Sequence, residues 1–466
     1  MVNFGPFCAI ITSSIPENSP LRRFAIDDRQ KGTKSDMKEC PEIKAALLGF
    51  GTVGGGVYKL FQRQKDEFPR KLGACPVISR ILVRDLSRPR RGADPSLFTD
   101  RWEEIRDDPE IRIVIEVTGG IEPARTRILE ALRAGKNVVT ANKDLMAEHG
   151  AELLAAAEEN DCDLLFEAAV AGGIPIIRPL KQCLAGNYIT EIMGIVNGTT
   201  NYVLTRMSRD GMDFADALKK AQELGYAEAD PTSDVEGLDA ARKIAIMASI
   251  GFNSRVVFSD VYTEGISGVS AKDISYAAEM GCCVKLLALA RCTPGGIEVR
   301  VHPMLLPLDH PLATVNDSFN AVFVHGDAAD DVMFRGRGAG ELPTASAVLG
   351  DVAEISRNIR CGCTGRLGCT CYKQIPIKPM ADTENRFYLR MQVEDRPGVL
   401  ANVASVLGNN RVSIARVIQR ARTLDSAEIV VVTDLVRERN LRDSLAVFGG
   451  MSVIREISSV IRVYQG

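Results

Sequence analysis

The stretch GFGTVGGG at 49–56 sets Gly49, Gly51 and Gly54 at the spacing G-x-G-x-x-G, between the apolar run IKAALL and a helical pattern that begins near Thr52. Each glycine has a physical reason to be there. The first permits a tight strand-to-helix turn, the second lets backbone approach a pyrophosphate, and the third lets helix and strand pack closely. Phosphate charge then sits on the free N–H groups of the helix start, which makes Gly49, Phe50, Gly51, Thr52, Val53 and Gly54 candidate cofactor-binding positions. Strand patterns recur at 77–83, 111–117, 136–141 and 163–170, with helical patterns at 122–134 and 143–159 between them. Such alternation predicts a parallel sheet covered on both faces, a Rossmann-like dinucleotide-binding domain over 42–175.

The alternation breaks near residue 175. A helix at 175–185 and a strand at 189–196 lead into helical patterns at 200–210, 213–224 and 237–250, then β-rich runs at 284–292, 296–303, 319–326 and 331–338, and a long helix at 341–359. This profile predicts an α+β catalytic and dimerisation domain over 176–360, with part of 341–360 rejoining the first domain. A Cys-rich linker over 361–385 precedes a tail over 386–466 whose βαββαβ order is that of a ferredoxin-like module. The expected fold class is therefore α/β, with an α+β second domain and a ferredoxin-like third.

Composition narrows the partners. The net charge of −3, with Lys and Arg spread along the chain, leaves no basic stripe for a phosphate backbone, so a small-molecule substrate is expected and nucleic acid is not. No apolar run reaches the roughly 18 residues that span a bilayer, so no membrane partner is expected. Twelve cysteines without a secreted-type framework point to a reducing compartment, and the expected location is the cytoplasm. Residues 1–41 lack the basic start of a secretory signal and are read as a disordered extension or a mis-assigned start, with Met37 as an alternative first residue.

The second strand ends in LVRDLSRPRR, where an NAD enzyme usually presents an acid to the ribose 2′-hydroxyl. Here Arg84 comes first, then Asp85, with Arg88, Arg90 and Arg91 following. A guanidinium suits a 2′-phosphate, so NADP is expected over NAD, and Asp85 keeps NAD open.

The segment from 221 to 243 narrows the chemistry further. Ala221, Gly225, Tyr226, Ala227, Asp230, Pro231, Asp234, Val235, Gly237, Asp239 and Lys243 are similar, residue for residue, to the signature of the homoserine dehydrogenase family. TANK at 140–143, NGTTNYVL at 197–204 and GRGAGELPTASAVLGD at 336–351 resemble further family segments, and DRPGVLANVASVLGNN at 395–410 resembles the strand–loop–helix of an ACT domain. The resemblance runs from about residue 43 to the end. It implies reversible, NAD(P)-dependent interconversion of L-homoserine and L-aspartate 4-semialdehyde in threonine, methionine and isoleucine biosynthesis.

Reducing the aldehyde needs a hydride at carbon and a proton at the developing alkoxide. A lysine meets the second need, because an ammonium stabilises an alkoxide and gives up its proton more readily when partly buried. Lys243 stands four residues after Asp239, on one helical face at the head of the apolar run 244–252. The plain alternative is an exposed salt bridge worth a few tenths of a kcal/mol. By resemblance, Lys243 is the proton donor and acceptor, and Asp239 holds it or the substrate. Glu228 partners the substrate amino group, and Asp234, Gly225 and Tyr226 are further substrate contacts. Lys143 is implied to touch both cofactor and substrate and rivals Lys243 for proton transfer. Thr118 and Gly119 in VTGG lie near the nicotinamide, and Gly225, Gly338 and Gly340 complete the implied cofactor set.

FEAAVAGGIPII at 166–177 resembles the family's monovalent cation loop, with the Glu167 carboxylate and the carbonyls of Val170, Gly172 and Ile174 implied as ligands to sodium. In the tail, Asp395, Gly398 and Asn402 are the implied effector contacts, L-threonine is the implied effector, and edge-to-edge pairing of such modules implies a homodimer or homotetramer. A purely structural module is the alternative. The cysteines at 361, 363, 369 and 371 form C-x-C-x5-C-x-C, open to readings as a zinc site, a redox-labile loop or free thiols. Two rival functions stand beside the main one: a dehydrogenase for another small amino-acid aldehyde, and a sensor that has lost catalysis.

Overall fold

The computed structural model describes residues 40–90, 92–422 and 426–464. The N-terminal extension through residue 39 and Arg91 lie outside the described residues.

The first sheet contains β1 (Glu42–Leu48), β2 (Cys75–Leu82), β3 (Phe98–Thr99), β4 (Ile111–Glu116), β5 (Asn137–Thr140) and β6 (Leu164–Leu165), all parallel, in the order β3-β2-β1-β4-β5-β6. In β1, Ala46 and Leu48 enter one core while Ala45 and Leu47 enter the other, so both faces are buried and 45–48 reads as a continuous apolar run. The order reverses at β1, and ligands of open α/β sheets bind in the crevice beyond the carboxyl ends of the strands at such a point. The helix Glu341–Cys361 returns to this sheet from the far end of the second domain. Its Ala345, Val348, Val352 and Ile355 join the same core as β1, and Lys59 pairs with Glu341 at 2.5 Å.

Two expectations need correction. The run 163–170 is strand only over Leu164–Leu165 and then turns as Glu167–Ala169. The Glu167 carboxylate accepts the N–H groups of Ile176 (2.5 Å), Ile177 (2.7 Å) and Arg178 (2.9 Å), and those bonds double the chain back. The helix expected at 175–185 shrinks to five residues, Pro179–Cys183, for the same reason. The helix Ala271–Glu279, absent from the sequence reading, is closed by reciprocal bonds between Ser270 and Asp273.

The second sheet contains β7 (Ile189–Ile195), β8 (Tyr262–Thr263), β9 (Cys282–Thr293), β10 (Gly296–Pro307), β11 (Phe319–Gly326), β12 (Asp330–Arg337), β13 (Glu384–Glu394), β14 (Ile414–Arg422), β15 (Ser426–Thr433), β16 (Val436–Arg437) and β17 (Ile454–Val463). Its main path is β12-β11-β7-β9-β10-β17-β13-β15-β14. The last four strands, with helices Val399–Asn409 and Glu438–Gly449, make the ferredoxin-like module. That module is not a separate sheet: β17 pairs in parallel with β10 at Met304↔Arg462 and Leu305↔Val463. Ion pairs of the buried Arg390 and Arg462 reinforce the seam. Arg390 meets Asp273 at 2.7 Å and Glu428 at 3.2 Å, and Arg462 meets Glu264 at 2.7 Å and Glu438 at 2.6 Å. No helix among the described residues is long and apolar enough to cross a membrane.

Candidate active site

The glycine loop opens onto a cleft lined by Gly49, Phe50, Gly51, Thr52, Arg84, Arg88, Arg90 and Thr118. Gly49 is left-handed at φ +97°, and a Cβ on Gly54 would lie 2.2 Å from the Gly49 carbonyl oxygen, so neither position admits a side chain without a shift. Gly51 has open space where a Cβ would stand. It caps the helix Thr52–Gln64 without a side-chain bond, and the first turn holds no acid, so the helix start is left to an external anion. This cradle fits a cofactor pyrophosphate. Val53 packs against the sheet core. Asp85 is not among the residues lining this cleft; its Oδ1 accepts Ser87 Oγ (2.6 Å) and Ser87 N (2.8 Å), bonds that hold its carboxyl below the usual range.

Thr118 and Gly119 are held by Glu116, a fully buried carboxylate absent from the sequence reading. Its Oε1 accepts Thr118 N (2.7 Å), Thr118 Oγ1 (2.5 Å) and Gly119 N (3.3 Å), and its Oε2 accepts Thr140 Oγ1 (2.7 Å). One side chain thus ties the VTGG turn to the start of TANK. The sequence signal was an acid ending the apolar run Ile113–Ile115.

A second pocket gathers Lys143, Gly172, Asn197, Gly225, Tyr226, Glu228, Asp234, Asp239, Lys243, Gly338 and Gly340. Asp239 lies in the first turn of helix Leu238–Gly251, whose cap Gly237 has φ +79°, and Lys243 follows one turn later. Lys243 Nζ donates to Asp239 Oδ2 at 2.6 Å and to the Val196 carbonyl at 2.7 Å. Lys143, the first residue of helix Lys143–Glu159, places Nζ 3.4 Å from Asp239 Oδ1, so one carboxylate serves both lysines. The side chain of Lys143 is 32% exposed and that of Lys243 11%, which leaves the former freer to move.

Asn197 completes the network and was not singled out in the sequence. It is 5% exposed, and its Nδ2 donates to Asp234 Oδ1 (2.7 Å) and Asp239 Oδ2 (2.9 Å) while its Oδ1 caps the helix Gly198–Asp210 through Thr200 N (2.9 Å). An Asn directly before GTT is a capping signal that could have found it. Burial drives the Asp239 carboxyl up, but the ammonium groups of Lys243 and Lys143 outweigh it and hold Asp239 below the usual carboxylate range. Asp234, also desolvated and close to the Asp239 charge, is raised despite its bond from Asn197.

Glu228 stands exposed at the rim. Tyr226 lies 5.0 Å from the Tyr202 ring, and its carbonyl accepts Thr199 Oγ1 at 2.6 Å. Gly225, Gly338, Gly340 and Lys143 line this pocket and not the glycine-loop cleft. Close approach explains Gly338, since a Cβ there would meet the Asn320 side chain at 2.0 Å.

In the loop 166–177, the Glu167 carboxylate is committed to three backbone N–H groups. Val170 and Ile174 are buried, and Gly172 lines the second pocket. Behind them Asp351 is fully buried, accepting Arg178 Nη2 and Glu167 N at 2.8 Å each. Burial, with the Glu167 charge beside it, pushes its carboxyl up to about 7. In the tail, Gly398 at φ +91° heads helix Val399–Asn409 with no side-chain cap, and Asp395, Gly398 and Asn402 are exposed at that end. Among the described residues no group of three or more His, Cys, Asp or Glu side chains could hold a metal, which tells against zinc at the linker cysteines.

Comparison with known proteins agrees with this layout. The homoserine dehydrogenase family model matches residues 175–353, the model of its NAD-binding domain 49–167, and the ACT domain model 387–447. The chain is 49% identical to a homoserine dehydrogenase of Corynebacterium glutamicum, covering 90% of this chain and 95% of the relative, and 44% identical to one of Bacillus subtilis, covering 90% and 98%. A homoserine dehydrogenase structure from Thiobacillus denitrificans superposes with a TM-score of 0.87 at 40% identity, covering 91% of this chain and 98% of the other. A hyperthermophilic archaeal homoserine dehydrogenase in complex with NADPH superposes with a TM-score of 0.58 at 27% identity over 68% of this chain and 98% of its own. With its nucleotide cradle, its lysine–aspartate pocket and its C-terminal ACT domain, this chain belongs to the homoserine dehydrogenase family.

Proposed function

We propose that the chain interconverts L-homoserine and L-aspartate 4-semialdehyde, with NADP preferred over NAD. The observation that carries this reading is the single carboxylate of Asp239, which holds Lys243 at 2.6 Å and Lys143 at 3.4 Å in one pocket with Glu228 and Asp234. A bound nicotinamide would give or take the hydride. Lys243 spends two of its N–H groups on Asp239 and the Val196 carbonyl and aims the third at the substrate oxygen. As a neutral amine it takes the hydroxyl proton in oxidation, and as ammonium it returns one to the alkoxide in reduction. Lys143, with fewer ties, contacts the same oxygen and screens its developing charge. Glu228 receives the substrate amino group, and Asn197 keeps Asp234 and Asp239 apart and oriented.

Arg84 with its neighbours would meet a 2′-phosphate, and the turning of Asp85 to Ser87 supports that choice. Gly338 and Gly340 would meet the nicotinamide end. A sodium ion would rest on the carbonyls of Val170, Gly172 and Ile174, beside Glu167. Threonine would bind at Asp395, Gly398 and Asn402 of a cytoplasmic homodimer or homotetramer. We set the dinucleotide-binding domain at 42–175 rejoined by 341–360, the catalytic domain at 176–360, the linker at 361–385 and the ACT domain at 386–466.

The test is homoserine-dependent reduction of NADP and of NAD by the pure protein, beside a panel of other small amino alcohols. No turnover with homoserine and either cofactor sinks the reading, and faster turnover of another alcohol moves it to that substrate. Threonine added to the same assay tests the effector, where an unchanged rate would leave the tail structural.

A further inference from the structure

The linker carries a motif that the reaction does not use. Cys369 and Cys371 lie at the feet of the two lysine-bearing helices, facing a small cavity shared with Met146 and Leu154 of one helix and Ile246 and Ile250 of the other. The two thiols line the same cavity and interact with each other. Cys369 Sγ also accepts Arg255 Nη2 at 3.1 Å, and Cys371 Sγ donates to the Ser249 carbonyl at 3.5 Å, in the last turns of the helix that bears Lys243. Both residues are partly exposed, and both are free thiols. A bond between them requires the two sulfurs, two residues apart on the wall of one small cavity, to approach to about 2.05 Å.

We propose that Cys369 and Cys371 are a site of reversible modification, closing to an intramolecular disulfide when the protein meets a peroxide. Cys369 reacts first, because its sulfur lies against the Arg255 cation, whereas burial pushes the Cys371 thiol up to about 11. Its thiolate attacks a peroxide oxygen; the S–O bond forms, the O–O bond breaks, and hydrogen peroxide leaves one oxygen as water and one on sulfur as sulfenic acid. The Cys371 sulfur then attacks the sulfenic sulfur, the S–S bond forms, the S–O bond breaks, and a second water carries off the Cys371 proton. Two thiols and one peroxide become one disulfide and two waters. Closure withdraws one sulfur from Arg255 and the other from Ser249. The inference is independent of the proposed reaction.

The test uses the folded full-length chain, treated with hydrogen peroxide, alkylated under denaturing conditions and cut with trypsin. Cleavage after Arg366 and Lys373 yields a peptide, 367–373, holding Cys369, Cys371 and no other cysteine. The expected result is a peptide lighter by two hydrogens, unalkylated, and returned to the doubly alkylated form by dithiothreitol. Cys371→Ser should leave a sulfenic acid on Cys369 that dimedone traps, while Cys369→Ser should leave none on Cys371. The proposal is overturned if the wild-type peptide stays reduced while the exposed Cys183 and Cys361 are already oxidised, or if either cysteine is found joined to a different peptide.

Discussion

The nucleotide cleft and the substrate pocket are built by opposite means. The cleft relies on backbone: a left-handed Gly49, a Gly54 with no room for a methyl, an uncapped helix start, and arginines at its rim. The pocket relies on side chains: Asp239 at 7% exposure, Lys243 at 9% and Asn197 at 5%, each bonded to another. The first arrangement is local and faces solvent, so its charges are screened and its geometry is fixed by chain conformation. The second is desolvated, so each charge persists only because its partner is present, and removing one partner costs about 3–5 kcal/mol where the other is left buried.

The largest expected effect tests the pocket. Lys243→Ala should lower kcat by roughly 10²- to 10⁴-fold, the range for loss of an acid–base group, with less change in the KM for homoserine. Lys143→Ala should act more on KM; the reverse pattern in steady-state kinetics would exchange the two roles. Next, Gly54→Ala brings a methyl to 2.2 Å from the Gly49 oxygen. Overpacking of this kind costs about 1–3 kcal/mol, so the cofactor KM should rise by roughly 10- to 100-fold with homoserine binding unaffected. A variant with normal cofactor KM would show that the loop is less rigid than its contacts imply.

Arg84→Ala is a smaller step. It should raise the KM for NADP by about tenfold, leave that for NAD unchanged, and lose much of its effect at high salt, as an exposed ionic contact does. Equal loss with both cofactors would remove Arg84 from 2′-phosphate recognition. The smallest effect concerns Asp351, a buried carboxylate that, unlike Asp239, is pushed up to about 7. Between its unfolded value near 4 and that folded value, the unfolded chain has released a proton that the folded protein keeps, so this group lowers stability as pH rises through that window. Asp351→Asn should flatten the fall in Tm between about pH 5 and about pH 7 by a few degrees, measured by calorimetry. An unchanged slope would mean that Arg178 keeps Asp351 ionised throughout.

The same contrast decides what could be read from the sequence. The glycine loop is a local pattern with a local reason, and Asp239 with Lys243 is an i, i+4 pair, so both were visible. The bonds of Glu116 and Asn197 to residues 24, 37 and 42 positions away were not, although the Asn197 cap is itself a local signal. The strand expected at 163–170 ended early because Glu167 finds its donors 9, 10 and 11 residues on, a closure that apolar periodicity does not register. The βαββαβ order of the tail was legible, but its seam with β10 was not, since two pairs of residues more than 150 positions apart make it.

That seam bears on how such an enzyme can be rebuilt. The last strand of the ACT domain is also an inner strand of its neighbour's sheet, and Arg462 on it neutralises Glu264 across the join. Excising the module would uncover the edge of β10 and strand a carboxylate, so it cannot be exchanged like a cartridge. On the proposed reading, a change of effector is better sought in the turn at 395–402, within an otherwise untouched chain.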